Sequence, residues 1–286
     1  MAELSPPRWV EPGVLYVVGT PIGNLSDWSP RAEAVLREAD GILCEDTRVT
    51  GLLCHHYHID TPMLSFHAHN TQMRIPQVLR RLREGAALAL VSDRGMPTLS
   101  DPGQELIDAI WQENGKVTVI PGPSAAITAY AASGFEAPFI FWGFIPRAGA
   151  SRAGRLREII ESPYTGILYE APHHMQRTLE ALKAQATSER PIFVAREMTK
   201  RYEEFMRTTL SQITEAPREW RGEIVLVIGK PETKSDPEPV NWEDLDRQVR
   251  ELVAHGMHQK EAIRRIASEF SVSKRELYQY VVTKED

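Results

Sequence analysis

Cysteine is scarce in this sequence. Cys44 and Cys54 are the only two, too few for a disulfide scaffold and not arranged as a Cys-x-x-Cys pair. A reducing, cytoplasmic location is the expectation. Long apolar runs are missing as well. Residues 1–12 carry three prolines and hold neither a secretory signal nor a membrane span. They read as a flexible leader, and no membrane association is expected. Excess basic charge is also lacking. A formal net charge of -6 over 286 residues excludes a general polyanion binder, so any nucleic-acid contact must come from local patches. The nucleotide-binding glycine patterns are absent. Gly19 and Gly23 are spaced Gly-x-x-x-Gly rather than G-x-G-x-x-G, and no Gly-Lys-Ser/Thr follows, which disfavours nicotinamide and P-loop nucleotides. Cys54-His55-His56-Tyr57-His58, with His67 and His69 nearby, matches no familiar zinc spacing. These read as solvated loop histidines, and no metal is expected.

What is present is an alternation of short apolar runs with helical patterns. Val14 to Val18, Gly41 to Cys44, Ala86 to Val91 and Val117 to Ile120 read as buried strands. Pro30 to Glu38, Thr71 to Glu84 and Gln104 to Asn114 read as helices between them. The rhythm repeats with strands at Phe139 to Trp142, Gly166 to Tyr169, Ile192 to Ala195 and Ile224 to Ile228. Helices are expected at Ser124 to Ser133, Arg152 to Glu161 and His173 to Ala184. This predicts an α/β fold with mostly parallel sheets. The expected domains are 13–135 and 136–230, then a Pro/Glu/Lys/Ser linker at 231–240 and a helical tail at 241–286. In the tail, Asp244 to His255, Lys260 to Phe270 and Ser273 to Thr283 read as three helices, the last two spaced like a helix-turn-helix with Ser273 as N-cap. A small bundle that docks on a protein surface fits the same spacing.

Three Gly/Pro-rich loops follow strands: Gly19 to Leu25, Ser92 to Gly103 and Pro121 to Ala126. Ligands of open parallel sheets bind beyond the carboxyl ends of strands, so these loops are candidates for a site, although each alone could be a tight turn. Glu45-Asp46-Thr47-Arg48 ends the second strand at the same edge, as a substrate-positioning group or a surface ion-pair cluster. Arg147, Arg152, Arg155 and Arg157 make residues 146–157 locally basic, able to grip phosphates.

The ordered series Gly19-Thr20-Pro21-Ile22-Gly23-Asn24-Leu25, Glu45-Asp46-Thr47-Arg48, His67-x-His69-Asn70, Ser92-Asp93-x-Gly95-x-Pro97, Asp101-Pro102-Gly103 and Pro121-Gly122-Pro123 resembles the small-subunit ribosomal RNA methyltransferase I family. Leu168-Tyr169-Glu170, Ala195 to Lys200 and Arg221-Gly222-Glu223 continue the match, which runs from about Val14 to Thr283. The resemblance implies two α/β domains of the tetrapyrrole methylase type with a small C-terminal helical domain. It also implies a homodimer that binds S-adenosyl-L-methionine between the domains. The implied activity is 2′-O-methylation of a cytidine in the decoding region of 16S rRNA, on the 30S subunit or the free RNA. Carried over by position, the cofactor is expected at Ser92, Asp93, Gly95, Pro97, Ser124, Ala125, Tyr169 and Glu170. Substrate contacts are expected at Thr20, Pro21, Gly23, Asn24, Arg48, His67, Arg147, Arg152 and Arg155. Two residues depart from the family's usual Ser-Asp-Ala-Gly-Thr-Pro motif: Arg94 stands for Ala and Met96 for Thr. Gly19 replaces a usual proline.

A sulfonium methyl is already electrophilic, so such an enzyme mainly aligns the acceptor oxygen and assists loss of its proton. Glu45 and Asp46 are the expected catalytic groups, with Asp93 and Lys200 as further candidates. Two other readings fit parts of the sequence: a methylase of a tetrapyrrole ring, and a nucleic-acid-binding regulator with a ligand-sensing α/β body.

Overall fold

The computed structural model describes residues 9–186, 189–215, 218–231, 241–270 and 272–283. Most of the expected leader, residues 232–240 of the expected linker and Ser271 of the tail turn lie outside them. The described end of the leader is not loose. Val10 is buried in the first core, and the Trp9 backbone N–H donates to Glu38 Oε2 at 2.7 Å. The chain divides into two compact units, one through Pro231 and one beyond it.

The first unit opens with a parallel sheet of β1 (Val14–Val18), β2 (Gly41–Cys44), β3 (Met63–Ser65), β4 (Leu88–Val91) and β5 (Lys116–Ile120), in the order β3-β2-β4-β1-β5. The central strands are buried on both faces, and alternation sorts their side chains. Val14, Tyr16 and Val18 join one core, Leu15 and Val17 the other. The helices between are α1 (Pro30–Glu38), α2 (Thr47–His56), α3 (Thr71–Arg83) and α4 (Gln104–Gln112). Helix α1 starts as its sequence dictates: Pro30 occupies the first turn and Ser29 accepts from the Ala32 backbone N–H at 3.1 Å.

Helix α2 corrects an expectation, because Cys54, His55 and His56 lie on it rather than in a loop. Many of its residues are poor helix formers, three β-branched residues and a glycine among them. Asp46 caps its start, and burial of Thr50 and Cys54, one turn apart, supplies the packing that propensity does not.

After α5 (Ala125–Ser133) comes the second sheet: β6 (Phe139–Phe144), β7 (Thr165–Glu170), β8 (Pro191–Arg196), β9 (Glu204–Thr209) and β10 (Ile224–Ile228), ordered β6-β7-β10-β8-β9. Only β6 and β7 are parallel; the other pairs are antiparallel, which overturns the expectation of a second mostly parallel sheet. Two strands are unexpected, the three-residue β3 and β9. As an edge strand with alternating exposure, β9 carries polar residues that hide the pattern. Helices α6 (Gly149–Glu161), α7 (Pro172–Lys183) and α8 (Leu210–Glu215) complete the unit. Helix α6 begins at Gly149, three residues before the expected Arg152, and so takes in most of the basic stretch. Helix α5 precedes the expected break at 135/136, yet Ala126 and Ala129 pack with Phe193, Ala195, Val225 and Val227 of the second sheet.

The second unit is a three-helix bundle of α9 (Trp242–Ala254), α10 (Gln259–Glu269) and α11 (Lys274–Thr283). Leu245, Val249, Ile263, Ile266, Leu277 and Val281 form its core, while Arg264, Arg265, Lys274 and Arg275 are exposed. No helix among the described residues is long and apolar enough to cross a membrane.

Candidate active site

The three Gly/Pro-rich loops meet at the carboxyl edge of the first sheet, held by backbone hydrogen bonds. The Gly19 N–H donates to Ile120 O at 3.2 Å, and Thr20 and Gly95 exchange N–H···O bonds of 2.9 and 3.2 Å. Thr20 Oγ1 also donates to Ser92 O at 3.2 Å. Gly19 and Gly122 lie back to back: a Cβ on Gly122 would sit 2.8 Å from Gly19 Cα. Thr20 and Pro21 are buried and hold the loops together, so they are corrected from substrate contacts to scaffold.

Between this edge and the second sheet lies a cavity of about 290 Å³. Gly95, Ser124, Ala125, Tyr169 and Glu170 line it; Ser92, Asp93 and Pro97 do not. Ser92 is buried and donates to Gly95 O at 3.0 Å, and Asp93 Oδ1 accepts the Asp46 backbone N–H at 3.1 Å, so these two act behind the wall. Ile22, Leu99, Phe144, Met198, Ile224 and Val225 give the cavity an apolar surface. At the first turn of α5, Ser124 Oγ is buried with no hydrogen-bond partner and makes no cap bond. Burial pushes the Tyr169 hydroxyl above its ordinary pKa.

Carboxylates gather beside the cavity. Asp101 lines it, in a loop where Thr98 (φ 71°), Ser100 (φ 74°) and Gly103 (φ 130°) all hold positive φ. Burial, reinforced by the charges of Glu45 and Asp93 and opposed by a Ser92 hydrogen bond, raises the Asp101 pKa to about 6. Burial likewise raises Glu45 and Asp93; Asp93 and Asp46 add to the effect on Glu45, and His67 opposes it. In the sequence Asp101 is legible only as part of Asp101-Pro102-Gly103, where proline and glycine signal a turn and nothing signals the neighbours.

Asp46 is corrected from base to cap. It binds the Arg48 backbone N–H at 2.8 Å and the Arg48 guanidinium at 2.5 Å, and these bonds lower its pKa to about 2, leaving it a weak base. Lys200 Nζ donates to Glu197 Oε1 at 2.8 Å and to Glu223 Oε2 at 2.9 Å. Gly23 abuts this group, since a Cβ there would lie 2.6 Å from Lys200 Cγ. Arg94, which stands where the family usually has Ala, pairs with Glu223 across the cavity wall.

The remaining substrate candidates scatter. Asn24 caps a short turn by accepting the Ser26 N–H at 3.0 Å. His67 is half-buried, its Nδ1 without a partner. Arg147 is exposed, and Arg155 lies over the Trp142 ring at 5.3 Å and pairs with Glu158 at 3.2 Å. Arg152 is corrected outright: it is 5% exposed and cannot reach RNA. Its guanidinium donates to Pro146 O at 3.2 Å and to Thr178 Oγ1 at 2.7 Å, and Thr178 donates to Glu170 Oε2 at 2.5 Å. Arg152 therefore positions a cavity residue from behind.

Residues 14–214 match the family of Tetrapyrrole (Corrin/Porphyrin) Methylases. Ribosomal RNA small subunit methyltransferase I of Bacillus subtilis (strain 168) is 42% identical over 272 residues, covering 93% of each chain. Its namesake in Synechocystis sp. (strain ATCC 27184 / PCC 6803 / Kazusa) is 42% identical, covering 93% of this chain and 96% of that one. Among solved structures, the methyltransferase CobJ aligns at TM-score 0.58 and 21% identity, over 76% of this chain and 94% of its own. Uroporphyrin-III C-methyl transferase from Thermus thermophilus, complexed with S-adenyl homocysteine, aligns at TM-score 0.54 and 17% identity, over 76% and 96%. At those identities the structures show a common fold and no more. Fold, loop order and sequence identity agree: the chain belongs to the tetrapyrrole methylase family, within its ribosomal RNA small subunit methyltransferase I branch.

Proposed function

We propose that this protein transfers a methyl group from S-adenosylmethionine to the 2′-hydroxyl of a cytidine in the decoding region of 16S rRNA, as a cytoplasmic homodimer. The observation that carries the reading is the cavity between the sheets, in a chain 42% identical to enzymes named for small-subunit rRNA. Its walls fit the cofactor. The apolar surface suits an adenosine, and the orphaned Ser124 hydroxyl beside the uncapped N-terminus of α5 offers donors to a polar group. When bound, the cofactor supplies an activated methyl group. The protein supplies alignment, exclusion of water and a place for the acceptor's proton.

In this reading Gly95, Ser124, Ala125, Tyr169 and Glu170 hold the cofactor. Glu45, His67 and Arg48 stand on the acceptor side, and exposed Arg147 meets the RNA backbone. Lys200 holds Glu197 and Glu223 as a positioning residue. Homodimer formation is supported by exposed apolar side chains such as Trp111, Val119 and Ile127. The test offers purified protein and labelled cofactor to 30S subunits lacking the modification, to free 16S rRNA and to a porphyrinoid. Methylation mapped to one cytidine ribose of the rRNA is the expected result. Label in the porphyrinoid alone refutes the proposal.

A further inference from the structure

The carboxylates at the first sheet's edge are not equivalent. Asp46 is committed to Arg48 and to the start of α2. Asp93 accepts a backbone N–H, and neither it nor Glu45 reaches the cavity wall. Asp101 alone of the four lines the cavity. Its loop holds two non-glycine residues at positive φ, Thr98 and Ser100, and Gly103 closes it where a Cβ would meet Leu90 Cδ2 at 2.7 Å. Such conformations are costly and persist where the surroundings enforce them, commonly at functional sites.

We propose that Asp101 is the general base of the reaction, accepting the proton of the ribose 2′-hydroxyl from its place on the cavity wall between Ser100 and the β7 edge. This rests on the ribose-methylation reading above. As the hydroxyl oxygen bonds to the methyl carbon, the methyl–sulfur bond breaks. Its electron pair stays on sulfur, the hydroxyl proton passes to the Asp101 carboxylate, and the acid later returns it to water. The products are the 2′-O-methyl ribose and S-adenosylhomocysteine, and no other reactant is needed.

The surroundings tune Asp101 for this. Glu45 faces it from the end of β2, Asp93 from the end of β4 and Tyr169 from β7, while Arg94, Glu170 and Glu223 complete the charged part of the wall. Burial, with the two carboxylates, keeps it near 6, so it is ionised at neutral pH and yet more basic than an ordinary carboxylate. The charge of His67 acts on Glu45 in turn.

The sign of the linkage supplies a readout independent of turnover. A carboxyl whose folded pKa lies above its unfolded value destabilises the fold when ionised. That penalty is present above about pH 6 and relieved as pH falls toward the unfolded value. D101N, which cannot ionise, is expected to melt above wild type at pH 8, with the gap narrowing below about pH 6 and closing only as pH falls to about 4 and lower. With 30S subunits its kcat is expected to fall roughly 100-fold or more. The acidic limb of the wild-type pH–rate profile, with its midpoint near 6, is expected to vanish. Cofactor affinity by calorimetry is expected to stay within about threefold.

Three results overturn the proposal alone. One is a D101N rate near wild type on a wild-type product mapped to the ribose, which leaves the ribose reading standing. Another is a loss of cofactor affinity that accounts for the loss of rate. The third is an unchanged pH dependence of melting. A wild-type methyl group mapped to a base instead sinks the ribose reading, and the proposal with it.

Discussion

Replacing Gly122 with alanine puts a methyl group into a space that does not exist. The new Cβ would lie 2.8 Å from Gly19 Cα, 3.0 Å from Gly19 C and 3.1 Å from Gly19 O. Ordinary contacts begin at 3.4 Å, so something must yield by about half an ångström. Every obstructing atom is backbone, fixed by the Gly19 N–H bond to Ile120 and by the paired Thr20 and Gly95. Overpacking of this kind costs about 1–3 kcal/mol. In a unit of this size each kcal/mol lowers the melting temperature by roughly 2–4 °C, so G122A is expected to melt about 2–12 °C below wild type. The displaced strand-to-helix link also carries Ser124, so cofactor affinity is expected to fall. Gly154 is the control. It lies exposed within α6 with nothing within 4 Å of its would-be Cβ, and alanine there is expected to stabilise by roughly 0.5–1 kcal/mol. Thermal and urea unfolding of the two variants side by side is the assay. Equal stabilities would refute the claim that the Gly19–Gly122 contact is closed to a side chain.

R152M removes a buried guanidinium while keeping most of its volume, leaving Pro146 O without that donor and the Thr178–Glu170 pair without support. A loss of about 2–4 kcal/mol in urea unfolding is expected, with KM for 30S subunits little changed; normal stability with a raised KM would instead return Arg152 to the RNA. Asp46, held at about 2 by Arg48, contributes stability above the unfolded carboxyl pKa that fades as pH falls toward 2. D46A is therefore expected to melt below wild type at pH 7 and to converge with it in acid. D46N keeps the cap and is expected to retain methyl transfer; an inactive, well-folded D46N would make Asp46 catalytic after all.

Strands β1, β2 and β4 were legible because two-sided burial leaves continuous apolar runs, and α1 because Ser29 and Pro30 announce it. Strand β9 was hidden because an edge strand of Glu, Arg and Thr need not look apolar. Helix α2 was hidden because its stability comes from where Thr50 and Cys54 end up rather than from its own residues. The site divides in the same way. Loops rich in glycine and proline advertised themselves, so the region of Gly95, Ser124 and Ala125 could be read in advance. Arg152 misled because arginine signals charge in a sequence whether it meets phosphate or Thr178. The basicity of Asp101 was hidden because it depends on burial and on Glu45 and Asp93, far away in the chain.

Helix α5 leaves the first sheet through Gly122 and buries itself in the second sheet's core. The two halves are therefore buttoned rather than merely adjoined. A gene cut at residue 135 would hand one fragment an apolar peg without its socket, and the other a socket without its peg. Such fragments should be insoluble apart and recover together when co-expressed, whereas a cut before Pro121 should leave the second fragment with its peg in place. A ligand touching Ser124 would sense both halves at once.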